Sequence, residues 1–153
     1  MAAENIEASD VPRLNWVRIL ASGALWATAY NIVWAAAWFL FMRREWADAF
    51  AAIGRPLLWT ADVWIGWAAL TLPIGVAIVA YANQPKRSAS CQKALISAAL
   101  PLWLLMTLGM AIWSTQESLS VRIIALDSLV NLGAMVSASF AGAWGLRPLM
   151  SRS

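Results

Sequence analysis

The chain has 153 residues, 61% hydrophobic and only 12% charged, with a mean hydropathy of +0.65 and a net charge of +3. A water-facing domain carries roughly a quarter charged residues, so this composition excludes an ordinary soluble fold and fits a single domain whose surface meets lipid. With no histidine and one cysteine, Cys91, it also excludes an internal disulfide, a Cys/His metal site and every nucleophile–histidine pair; no metal, no cofactor and no enzymatic activity are expected.

The tail, residues 1–18, carries Glu4, Glu7 and Asp10. A secretory signal starts with basic residues and has a shorter apolar core than the run that follows here. The first helix is therefore expected to stay uncleaved. That run, residues 19–42, contains no charge, and about 20 apolar residues suffice to cross a hydrocarbon core of roughly 30 Å. Trp26, Tyr30, Trp34 and Trp38 recur every fourth residue. They predict an aromatic stripe, used for helix packing, for lipid contact or as the wall of a pocket for a flat apolar ligand such as a quinone, tetrapyrrole or sterol-like molecule. Gly23, Ala27, Asn31 and Ala35 form a second row at the same interval. Small residues so spaced let helix backbones approach closely.

Residues 43–58 place Trp46, Phe50, Ile53 and Leu57 on one side and Arg43, Arg44, Glu45 and Asp48 on the other. This is the pattern of an amphipathic helix lying at an interface, with continuation of the first helix as the alternative. Gly54 and Pro56 supply its stop. A second span over residues 60–82 holds Asp62 in its first turn, where the helix dipole favours a carboxylate, and Pro73 is expected to kink it. A polar, basic loop follows at 83–93. The third span, 94–113, contains Pro101. After it, Ser114-Thr115-Gln116-Glu117 matches the S-x-x-E capping box and predicts an early start to the next helix.

The fourth span, residues 123–144, carries Asp127 and Asn131 four residues apart, hence on one helical face. Gly133, Ser137, Ala141 and Gly145 form a small-residue seam, with Ala134, Ala138 and Gly142 alongside. A short tail, 147–153, ends the chain. No segment alternates with period two, so a membrane β-barrel is not indicated. The expected fold is all-α: an integral-membrane four-helix bundle with an interfacial amphipathic helix between spans one and two.

Arg13, Arg18, Lys86, Arg87, Lys93, Arg147 and Arg152 fall on one side of these spans; Arg43, Arg44, Arg55 and Arg122 fall on the other. The basic excess puts both termini in the cytoplasm, and the inner membrane of a bacterium is the expected location. The basic residues sit at span ends rather than in one patch, so nucleic acid is not an expected partner. Trp16, Trp46, Trp59, Trp113 and Trp144 lie at span ends, as an aromatic belt requires.

Polar groups in hydrocarbon must find partners. Asn31, Asp127 and Asn131 are accordingly expected to form one network facing the bundle interior, either as a clasp between the first and fourth helices or as a proton or solute site. Length and tryptophan content resemble those of the tryptophan-rich sensory proteins, but that family has five spans and a proline- and tryptophan-rich signature that this chain lacks. The small multidrug-resistance transporters share the span number, yet their embedded glutamate has no counterpart in the first span. No functional residue is carried over. The first functional expectation is a non-enzymatic accessory or assembly subunit, or a self-associating bundle, whose partners are the lipid bilayer and a homo-oligomer or larger membrane complex. The second is a small carrier, channel or apolar-ligand-binding protein using the Asn31/Asp127/Asn131 face.

Overall fold

In the computed structural model the described residues are 15–83 and 90–147. The cytoplasmic segments expected at the N-terminal tail up to residue 14, at loop residues 84–89 and at residues 148–153 lie outside them. All regular structure among the described residues is helical: α1 (Trp16–Ala37), a π-helical stretch (Trp38–Met42), α2 (Arg43–Ala52), α3 (Ala61–Ala82), α4 (Cys91–Gln116) and α5 (Val121–Leu146). Four helical runs are long and apolar enough to cross a membrane, and the first comprises α1, the π stretch and α2 without a break from Trp16 to Ala52.

Over residues 43–52 the first helix therefore runs on and no separate helix forms. It ends at Ala52 and gives way at Gly54 (φ +70°) to a connector without regular structure. The π stretch has a physical use here. Trp26, Tyr30, Trp34, Trp38, Met42 and Trp46 are all buried, at a strict interval of four. In a regular helix of 3.6 residues per turn such a row drifts by about 40° per step, or about 200° from first to last. The wider π turn takes back part of that drift, which lets Trp38, Met42 and Trp46 remain on the inner side.

The turn after α4 departs from expectation. Ser114 does not cap the fourth long helix; Ser114–Gln116 are the last residues of α4, and α5 begins at Val121. Ser118 takes the left-handed conformation (φ 59°), and the Leu119 N–H returns 2.9 Å to the Ser114 carbonyl. This is a Schellman-type closure with serine where glycine is usual. The S-x-x-E spacing loses to it because buried Leu119 supplies the apolar contact such a closure uses.

Helix α1 is central. It packs on α3 along one side and on α5 along the other, α4 lies against α5, and α3 meets α4 only sparsely. The α1–α3 contact is backbone to backbone: a Cβ on Gly23 would lie 2.6 Å from the Val76 Cα, and one on Gly75 would lie 2.6 Å from the Gly23 carbonyl oxygen. On the α5 side, a Cβ on Gly145 would lie 2.8 Å from the Ser22 hydroxyl, and Gly142 faces Trp26. The buried row of α5 is Asn131, Ala134, Met135, Ala138, Ser139, Gly142 and Ala143. Gly133, by contrast, is exposed with open space around it, Ser137 is exposed too, and Ala141 is half-buried. The seam thus runs one position away from the Gly133–Ser137–Ala141 row. Polar anchoring accounts for this phase, because Asn131 and Ser139 both turn inward to meet hydroxyl or indole partners on α1.

Candidate functional site

At the end of the molecule containing the C-terminal half of α1 and all of α2, the helices separate. Tryptophans hold them apart. Trp38 stacks on Trp59 at 4.5 Å between ring centroids; Trp34 stacks on Trp38 at 5.5 Å and on Trp59 at 5.6 Å and meets Trp64 edge-on at 5.4 Å. A second stack joins Trp46 of α2 to Trp113 of α4 at 6.1 Å. Rings this large cannot interdigitate to leave the close helix spacing that glycine permits. The result is a cavity of about 750 Å³ between α3 and α4, closed on its inner side by α1 and α5 and bordered by α2 and the 53–60 connector.

Six aromatic side chains line it, Trp34, Trp46, Phe50, Trp59, Trp67 and Trp113, together with Met106 and Met110. Its polar lining is small: Arg55, Asp127 and Asn131. The indole N–H groups of Trp34, Trp46, Trp59 and Trp67 are covered by protein and make no hydrogen bond, so they do not add accessible polarity to the wall. Gly109 also borders the cavity, and a Cβ there would meet nothing within 4 Å.

Asp127 lies six residues into α5, roughly 9 Å along its axis, and is half-buried. Asn131, one turn further, is only 4% exposed. The Asn131 amide donates to the Asp127 Oδ2 at 2.8 Å and to the Asp127 backbone carbonyl at 2.9 Å, while its own Oδ1 accepts a short hydrogen bond from the Tyr30 hydroxyl. The chain Tyr30–Asn131–Asp127 thus orders every donor toward the carboxyl group and leaves Asp127 Oδ1 without a hydrogen bond among the described residues.

Asn31 is not part of this network. Its amide donates to Thr71 Oγ1 on α3 at 2.7 Å and to the Ala27 carbonyl at 2.8 Å, so it fastens α1 to α3. Asp127 and Asn131 are brought together; Tyr30, placed in the aromatic stripe by spacing alone, joins them through its hydroxyl. The adjacent positions 30 and 31 point about 100° apart around a helix, which separates the two partners. All four stripe residues, Trp26, Tyr30, Trp34 and Trp38, turn inward rather than to the outside. Ala27 is buried beside Gly75, and Ala35 is half-buried.

Two ion pairs cross the cavity end. Arg55 in the connector pairs with Glu117 in the α4–α5 turn, and Arg122 of α5 reaches Glu45 of α2 at 2.8 Å. Among the described residues no group of three or more metal-ligating side chains occurs. Comparison with known proteins finds no matching family model, no matching curated protein and no matching solved structure.

Proposed function

We propose that this chain is a multi-pass inner-membrane protein, with both termini cytoplasmic, that binds an apolar small molecule in the tryptophan-lined cavity. Membrane insertion is supported by the outward faces: Ile32, Leu40, Ile65, Leu105, Leu129 and Phe140 are all more than half exposed, large apolar side chains on every long helix that lipid covers and water does not tolerate. The observation that carries the binding role is the cavity itself. Its 750 Å³ falls within the usual range for small-molecule sites, and such sites combine apolar walls with a few placed polar groups. Here the placed group is the Asp127 carboxyl, oriented by Asn131 and Tyr30. This favours the second sequence reading over the first, because a ring-lined cavity of ligand size with a placed carboxyl group is what a small-molecule site requires. The polar face that serves it is Tyr30/Asn131/Asp127, without Asn31.

The test uses N-phenyl-1-naphthylamine, a neutral apolar dye whose emission rises on entering a dry site, added to purified protein in detergent. Wild type is expected to bind it saturably. Gly109→Trp, which places an indole in the open space beside Gly109, is expected to reduce binding at least tenfold while leaving helix content unchanged. Equal binding by both proteins removes the cavity as the site.

A further inference from the structure

The geometry points to an organic cation with an apolar body as the ligand class, its positive centre held by Asp127 and its body by the surrounding rings. This inference rests on the binding role proposed above and adds the sign of the ligand's charge.

The charges of the cavity end are distributed unevenly. The ion pairs among the described residues join Arg44 to Asp48, Arg55 to Glu117 and Arg122 to Glu45, and none reaches Asp127. Arg55, the one cationic side chain in the lining among the described residues, is engaged by Glu117. Asp127 is therefore a cavity-lining carboxyl group whose only side-chain partner among the described residues is a neutral amide, on Oδ2. An anion in an apolar setting is costly unless a cation or several donors meet it. The protein supplies one side-chain donor, to Oδ2, and places the residue in the cavity lining. A ligand cation is the counter-charge that completes the arrangement.

The remaining lining has the same preference. Aromatic faces carry negative quadrupole density and attract ammonium-type cations within about 6 Å, most strongly when both are desolvated. The six aromatic residues around the cavity include five indoles, the ring type with the strongest such attraction. Met106 and Met110 add polarizable thioethers. An anionic ligand would meet Asp127 and these rings, with Arg55, the only cation in the lining among the described residues, already paired with Glu117. A neutral ligand without a hydrogen-bond donor would leave the Asp127 oxygen unmet, and one with a donor would leave its charge uncompensated.

A matched pair of probes separates charge from shape: tetraphenylphosphonium and tetraphenylborate have nearly the same size and apolar surface and opposite charge. Binding of each to the full chain in detergent is read by quenching of tryptophan emission and by calorimetry. Wild type is expected to prefer the phosphonium at least tenfold. Asp127→Asn is expected to lose at least tenfold in phosphonium affinity and Asp127→Glu to recover most of it, while helix content and the thermal midpoint in detergent stay those of wild type, which shows that both variants are folded. If the neutral dye binds but the two ions bind equally, or the borate binds better, or Asp127→Asn leaves phosphonium binding unchanged, the cation assignment is overturned while the cavity role stands. If neither the dye nor either ion binds wild type, both fall together.

Discussion

The two ends of the bundle solve helix packing in opposite ways. Where the N-terminal half of α1 meets the C-terminal halves of α3 and α5, glycines bring backbones into direct contact: Gly23 lies against Val76, Gly75 against the Gly23 carbonyl, and Gly145 against Ser22. At the other end Trp34, Trp38 and Trp59 stack on one another and Trp64 meets them edge-on, and a cavity of about 750 Å³ opens beside them. The same three helices take part in both. What differs is side-chain volume, and the lesson is that a helix pair clamped by glycine at one end can carry an open, ring-lined site at the other without the site's walls having to hold the fold together.

If so, substitutions at the two ends must behave differently. The largest effect is expected at Gly23→Ala, whose new Cβ would fall 2.6 Å from Val76 backbone atoms. Relief requires the helices to move apart, so destabilisation of about 3 kcal/mol is expected, read as a lowered midpoint in detergent-solubilised thermal unfolding. An unchanged midpoint means that the helices are not in contact there. Next comes Tyr30→Phe, which takes the hydroxyl donor from the buried Asn131 oxygen. A buried acceptor left unmet costs about 1–3 kcal/mol; the double variant Tyr30→Phe with Asn131→Leu should lose less than the two single losses added, and strict additivity would deny the pairing. Gly109→Ala reverses the sign. With open space around its Cβ, it should gain the helix preference of alanine over glycine, about 1 kcal/mol, where the same change at Gly23 is damaging. Smallest is Glu45→Gln. Its pairing with Arg122 is largely exposed on the arginine side, and exposed pairs contribute about 0–1 kcal/mol; a shift within that range that vanishes in high salt is expected, whereas a large salt-insensitive loss would place the pair in a dry environment.

Sequence and structure agree where one signal dominates. Long apolar runs with at most one charge each define the four span-capable helices, because nothing else in the chain competes with apolar length. The period of four in Trp26, Tyr30, Trp34 and Trp38 predicts a stripe, and the stripe exists, longer than its first four members suggest. Its extension to Met42 and Trp46 was not legible, since an unbroken row of that length depends on a π turn, and the turn depends on what the row packs against. The capping signature at Ser114–Glu117 misleads for a related reason: a local hydrogen-bond option was outweighed by burial of Leu119. Pairing of Asp127 with Asn131 follows from their spacing on one helix. The choice between Tyr30 and Asn31 as their partner does not, because it is set by the rotation of α1 against α5. The cavity lies furthest from the sequence, being the space left when rings from four helices and a connector fail to fill one end.

The most direct measurement is native mass spectrometry of the protein extracted gently from the membrane in which it is expressed, comparing wild type with Gly109→Trp. Wild type is predicted to carry a bound small molecule, one per chain, that the filled variant lacks, with the same lipids adhering to both. Identical adducts on the two proteins, or none on either, would contradict a ligand site between α3 and α4.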